Sequence, residues 1–244
     1  MNAIPRLVLS ELRLFLREPI AVLFAIAFAP VLITILGIAY PGRIEGFGGL
    51  RIVDVYLPIA IGMVLSLMAL SSMPSVLAGY REHGVLRRLA STPVPQVALL
   101  AAQLAMSLLV AIVTTVLLLA VGRLGFGVAL PRNLAGFALA LVLGAAALLG
   151  IGLVIAALAP SVRAAQGIGT VLFFPLLFFA GMWSPRPTMP GVVRHISDFT
   201  PLGAAVQALQ DGSAGAWPQP LHLAVMAGYV LVFGLIAARM FRWQ

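Results

Sequence analysis

The sequence has no cysteine and no lysine. Without cysteine there is no disulfide and no thiolate metal site. Without lysine there is no Walker A loop, GxxxxGK[ST], because its lysine must reach the nucleotide phosphates. A chain of this kind that runs on ATP in the usual P-loop manner takes its ATP site from another polypeptide. Charge of either sign is scarce as well. Charged residues make up 9% of the 244 positions and hydrophobic residues 62%, with a mean hydropathy of +1.11. A soluble domain carries roughly 25% charged residues to cover its core, so a soluble globule is excluded. What charge there is leans basic, with fifteen arginines against seven acids and a net charge of +8. In a chain this apolar, arginines gathered in loops report topology by the positive-inside rule. They do not call for nucleic acid, and none is expected as a partner.

Marking the charged residues leaves six uncharged runs. They give expected membrane spans at about 20–41, 55–80, 97–122, 133–160, 164–184 and 218–238, the last carrying only His222. A spanning helix needs about 20 apolar residues, because the hydrocarbon core is about 30 Å thick and each residue rises about 1.5 Å. The expected fold class is therefore all-α: a polytopic protein with residues 1–244 forming one membrane domain in the lipid bilayer. The first run follows Arg6, Arg13 and Arg17. It exceeds the length of a signal-peptide h-region and lacks an A-x-A-like site, so it reads as a retained helix.

Six spans place both termini on one side. Nine arginines then fall on the side of the termini and six on the other, which favours cytoplasmic termini. The stretch SELRLFLREP, Ser10–Pro19, has Leu12, Phe15 and Leu16 on one helical face and Glu11, Arg13 and Arg17 largely elsewhere. It reads as a short amphipathic helix in the membrane interface. On the opposite side, FTPLGAAVQALQ, Phe199–Gln210, is uncharged but too short to span. It reads as a re-entrant or interfacial helix. Small residues recur at Ala140 and Gly144, Ala146 and Gly150, and Gly152 and Ala156. That spacing serves close helix contact, either within the chain or between subunits. Pro30, Pro58, Pro74 and Pro175 lie inside runs and predict kinks.

No site for chemistry emerges. There is no HExxH, GxSxG or EF-hand loop, and the seven acids lie outside the runs. No catalytic and no metal-ligating residue is assigned. Ion-coupled carriers keep ionisable groups inside the bilayer. Here only His222 qualifies, and it reads as an interfacial residue near the start of its run. The Phe173, Phe174, Phe178, Phe179, Met182 and Trp183 stretch suits either an apolar cargo or lipid contact.

Residues 80–95, YREHGVLRRLASTPVP, stand apart. Val85, Leu86 and Leu89 share one helical face, Arg81, Arg87 and Arg88 flank it, and Pro93 and Pro95 stop it. Two readings fit: a positive-inside anchor with snorkelling arginines, or a docking helix whose apolar knob fills a partner's groove while the arginines fix its register.

This segment resembles the signature of type-2 ABC-transporter permeases, the exporter class that includes bacterial drug-resistance and antibiotic exporters. A second stretch, FFAGMWSPRPTMPGVVRHISDFTPLGAAVQAL, resembles the family's run from the fifth span through an outer loop. Its Thr200-Pro201-Leu202-Gly203-Ala204 stands where the family has an NPLTY-like element, without that element's Asn and Tyr. The resemblance implies a permease in a bacterial cell membrane that pairs with a second permease, identical or not, and binds two cytoplasmic ABC ATPase subunits. ATP and magnesium would belong to those subunits, with no cofactor in this chain and no enzymatic activity of its own. Arg81, Glu82, Val85, Leu86, Arg87, Arg88 and Leu89 would form the ATPase-coupling interface. Glu11, Arg13 and Arg17 would belong to the N-terminal interface helix. The cargo would be a hydrophobic or amphipathic small molecule. The competing readings are an ion-coupled secondary transporter and a membrane-embedded lipid-modifying enzyme.

Overall fold

The computed structural model describes residues 3–17, 19–84 and 96–240. Nearly all of them are helical. Helix α1 (Ala3–Leu16) leads into α2 (Pro19–Val22), a π turn at Leu23–Ala27 and α3 (Phe28–Ala39). A small hairpin follows, β1 (Arg43–Ile44) with β2 (Leu50–Arg51), pairing Arg43 with Arg51 and Ile44 with Leu50. Gly48 and Gly49 close it at φ 67° and 77°, a left-handed region that side chains resist. Then come α4 (Ile52–Leu67), a second π turn (Met68–Ser72) and α5 (Met73–Glu82). The remaining helices are α6 (Gln96–Phe126), α7 (Leu134–Leu158), α8 (Val162–Phe179), α9 (Gly191–Phe199), α10 (Pro201–Ala214) and α11 (Pro220–Met240).

Among the described residues, five helices are long and apolar enough to cross a membrane: Ile52–Glu82, Ala98–Phe126, Leu134–Leu158, Val162–Phe179 and Pro220–Met240. The first expected span, 20–41, holds α2 from Pro19, the π turn and α3, an apolar helix of 12 residues, and the backbone stays helical on both sides of the turn. The second is longer than expected. Its 31 residues reach about 46 Å at 1.5 Å per residue, so Asp54 and Glu82 sit in its end turns, beyond an apolar layer of about 30 Å.

Both π turns have the same cause. Proline cannot donate a backbone hydrogen bond, and its ring collides with the carbonyl four residues earlier. Pro30 and Pro74 each follow a π turn, and the carbonyls they would meet, on Ile26 and Leu70, lie inside those turns. The widened backbone relieves the collision. Pro58 and Pro175 lie within unbroken helices.

The π turn at Met68–Ser72 is also where the bundle closes most tightly. A Cβ on Gly152 would collide with the carbonyl oxygen of Ala69, and one on Gly169 with that of Leu70. Helices α7 and α8 therefore bring bare backbone against the two carbonyls that the widened turn presents. The α4–α5 span is the centre of the molecule: 83% of its apolar stretch is buried, against 17% for α8 and for α11. Ile59, Ile61, Leu70 and Met73 are fully buried with Leu148 of α7 and Leu202 and Leu209 of α10.

The stretch expected as a re-entrant or interfacial element forms helix α10. It starts at Pro201, capped by Thr200, whose side chain accepts from the Gly203 amide, and it is buried along most of its length. Three notches seat it. A Cβ on Gly62 would press on Val206 at 2.7 Å, one on Gly144 on Ala205 at 2.8 Å, and one on Gly212 on the Phe137 backbone at 2.9 Å. The small residues of α7 thus serve contacts inside the chain: Gly144 faces α10, Gly150 faces Phe233 of α11, and Gly152 faces the π turn.

Gly152→Ala and Gly169→Ala should each lower stability by about 1–3 kcal/mol or more, the cost of overpacking. Gly167→Ala, on the same helix as Gly169 but with open space at its Cβ position, should be neutral or stabilising by up to about 1 kcal/mol. Thermal unfolding of the three variants in one detergent checks the contrast.

Candidate coupling interface

The C-terminus of α5 and the N-terminal turns of α6 lie at one end of the bundle with the C-terminus of α7 and the N-terminus of α8. Of the residues expected at the coupling interface, Arg81 and Glu82 close α5, while Val85, Leu86, Arg87, Arg88 and Leu89 lie outside the described residues. Arg81 is exposed, and its Nη1 donates to the carbonyl of Ala159 at 3.1 Å. Ala159 is the C-cap of α7. A guanidinium there satisfies an end carbonyl and complements the negative end of the helix dipole. Arg81 thereby ties the foot of α5 to the foot of α7. Glu82 is exposed in the last turn of α5.

The N-terminal helix differs from the expected amphipathic pattern. Phe15 is buried as expected and Leu12 is half-buried, but Leu16 is 55% exposed and Glu11 only 5%. The buried stripe runs through Glu11 and Phe15, four residues apart on one face. Leu16 is turned about 100° away from Phe15, beside exposed Arg13, Leu14 and Arg17. Helix α1 packs this stripe on the first half of α6.

Burying a carboxylate costs heavily unless hydrogen bonds replace its water. Glu11 finds three. Tyr80 Oη lies 2.7 Å from Oε1 and 2.8 Å from Oε2, and Gln103 Nε2 donates to Oε2 at 2.8 Å. Among the described residues no cation lies within ion-pair reach of it. Burial drives its carboxyl above the ordinary value, and the Tyr80 hydrogen bond opposes this without reversing it. Tyr80 belongs to α5 and Gln103 to α6, so one carboxylate on α1 joins the helices on either side of segment 85–95.

The opposite end of the bundle is held by a second polar cluster. Asp198 of α9 receives Arg186 through both of its oxygens, Nη2 to Oδ2 at 3.3 Å and Nη1 to Oδ1 more closely. His222 Nε2 lies 3.2 Å from Oδ1. His222 is fully buried within the protein, in the first turn of α11. Helix α9 places Asp198 beside the first turn of α11, and the loop before α9 supplies Arg186. Burial pushes the Asp198 carboxyl up, but Arg186 and His222 outweigh it and hold the carboxyl below the ordinary value. At the same end, Arg51 pairs with Asp54 at 3.0 Å and donates to the carbonyl of Phe126, joining the start of α4 to the end of α6. Among the described residues no group of three or more His, Asp and Glu is placed to hold a metal ion.

Residues 3–212 match the ABC-2 type transporter family. The chain belongs to that family. It is similar to the daunorubicin resistance ABC transporter permease protein DrrB1 of Streptomyces coeruleorubidus, 36% identical over 80 residues, which cover 32% of this chain and 28% of the relative. It is also similar to the inner membrane transport permease YhhJ of Escherichia coli (strain K12), 25% identical over 182 residues, 72% of this chain and 49% of the relative. The chain thus spans about half or less of the length of these relatives. Family and fold agree on an all-α, multi-pass membrane protein, as the resemblance implied.

Two features of this ABC-2 type chain escaped the sequence reading. The position of Glu11 was readable in part, since it precedes Phe15 by four residues. The Asp198–His222 pair had no local signal, because 24 positions separate its members.

Asp198→Asn should destabilise the protein by about 1–3 kcal/mol at neutral pH, the range for hydrogen bonds to charged groups. Because the folded carboxyl titrates below its unfolded value, its contribution is present above the unfolded pKa of about 4 and is lost as pH falls through the folded one. Melting curves of wild type and Asp198→Asn should therefore converge on acidification below about pH 4.

Proposed function

We propose that this chain is the transmembrane permease subunit of an ATP-driven ABC exporter. It moves a hydrophobic or amphipathic small molecule out of the cell and draws its energy from separate ATPase subunits. The observation that carries this reading is the ABC-2 type transporter match over residues 3–212. Three physical features support it. The chain has no lysine for a P-loop of its own. The apolar interior of its spans offers no relay of ionisable groups, His222 being paired at the end of its helix. The sequence at 85–95 sets Val85, Leu86 and Leu89 beside Arg87 and Arg88 between two spans.

In this reading the termini and segment 80–95 face the cytoplasm, and the chain lies in a bacterial plasma membrane beside a second permease subunit. The ATPase subunits dock on Arg81, Glu82, Val85, Leu86, Arg87, Arg88 and Leu89, next to α1 with Arg13 and Arg17. ATP and magnesium are bound and consumed in those subunits, so this chain is not itself the enzyme. The name of the Streptomyces relative, a daunorubicin resistance permease, supports a drug-like cargo and supplies a probe.

Co-expressed with its ATPase, the chain should co-purify with it and drive ATP-dependent daunorubicin uptake into inverted vesicles. Reversing charge at Arg87 and Arg88 together should reduce co-purification and uptake by at least tenfold. This corresponds to about 1.4 kcal/mol or more of docking energy. A chain that binds no ATPase, or whose double reversal transports normally, would overturn the reading.

A further inference from the structure

Segment 85–95 is bracketed by two residues that bind the same side chain. Tyr80 precedes it on α5 and Gln103 follows it on α6, and both hydrogen-bond to the Glu11 carboxylate at 2.7–2.8 Å. Glu11 is 5% exposed and Gln103 1%, so water does not substitute readily for either partner. From this geometry we infer that Glu11 is a positioning residue: its carboxylate bridges α1 to both legs of segment 85–95 and makes the three move as one body. The inference rests on the reading of that segment as the ATPase-docking element.

The physical argument is one of alternatives. A merely amphipathic interface helix would turn an apolar residue toward α6 and leave its acid in water, at no desolvation cost. Here the acid is buried and the apolar Leu16 is exposed. The arrangement is stable only while α5, α6 and α1 keep their mutual spacing. If any one shifts by more than hydrogen-bond reach, a buried carboxylate loses a donor, and an unsatisfied buried charge is costlier than any neutral polar group. Such a bridge resists independent motion of its three members. A push on segment 85–95 then reaches α1 and, through α5, the π turn at Met68–Ser72. At the foot of α5, Arg81 adds the tie to Ala159 of α7, so the same push is shared with a second span.

The absence of native cysteine allows a direct test. Ser10, His83 and Ala105 are exposed. Spin labels on Cys replacements at 10 and 83 report α1 against α5, and those at 10 and 105 report α1 against α6. In the wild-type background both pairs should give narrow distance distributions, with and without ATP-bound partner. Tyr80→Phe should broaden the 10/83 pair alone and Gln103→Ala the 10/105 pair alone. Glu11→Ala should broaden both, with the population at the wild-type distances falling about tenfold or more. A merely structural weakening would disturb both pairs alike in all three variants, and that outcome, or unchanged distances in Glu11→Ala, would overturn the inference.

In the complex, Glu11→Ala should retain ATPase binding and hydrolysis yet lose daunorubicin uptake per ATP by about tenfold. Wild-type uptake per ATP in that variant would overturn the coupling role. If the wild-type chain binds no ATPase at all, the proposed function fails and the coupling role with it. The spin-label distances on the permease alone then decide whether the bridge exists.

Discussion

Two carbonyl groups meeting two glycines hold the centre of this protein together. Pro74 forces the second span to widen into a π turn, and the turn presents the Ala69 and Leu70 carbonyls at its surface. Inside a bilayer there is no water to solvate such groups, so irregular backbone is tolerated only where protein covers it. Gly152 of α7 and Gly169 of α8 provide that cover because neither has a Cβ. The most buried span is thereby fixed against two neighbours at mid-height, and the elements at both ends of the bundle are placed relative to that contact.

At one end the placement brings α5 and α6 to Glu11; at the other it brings α9 beside α11, where Asp198 joins Arg186 and His222. The two clusters use the same physical means. Each withdraws a carboxylate from water, Glu11 fully and Asp198 in part, and each compensates with donors from other elements. They differ in charge. Asp198 has a guanidinium and is held in its ionised form, whereas among the described residues Glu11 has only neutral donors, and its carboxyl is raised. The Asp198 cluster is therefore a fixed ionic lock, and the Glu11 cluster depends on the exact spacing of its neighbours.

Much of the fold was legible in the uncharged runs, since a bilayer demands about 20 apolar residues per helix whatever the tertiary contacts. The helices at 97–122, 133–160, 164–184 and 218–238 appear close to where those runs lie. In the run at 20–41 length and composition are adequate, but they do not show the π turn that Pro30 imposes on the ladder, as Pro74 does in the second span. The stretch at 199–210 was recognisable as too short to span, but its depth of burial was not, because the notches that seat it come from Gly62 and Gly144 on other helices.

Sequence by itself determined the class of protein, the absence of a P-loop and the position of a charged, proline-stopped segment between two spans. These follow from counts and spacings, which do not depend on packing. Only the tertiary structure decided which face of α1 is buried, that Glu11 is the residue joining α5 to α6, and that His222 is paired with Asp198. The reason is that hydrogen bonds between helices depend on crossing geometry and rotation about the helix axis. A rotation of one residue, about 100°, exchanges a buried Glu11 for a solvated one and leaves the composition of the helix unchanged.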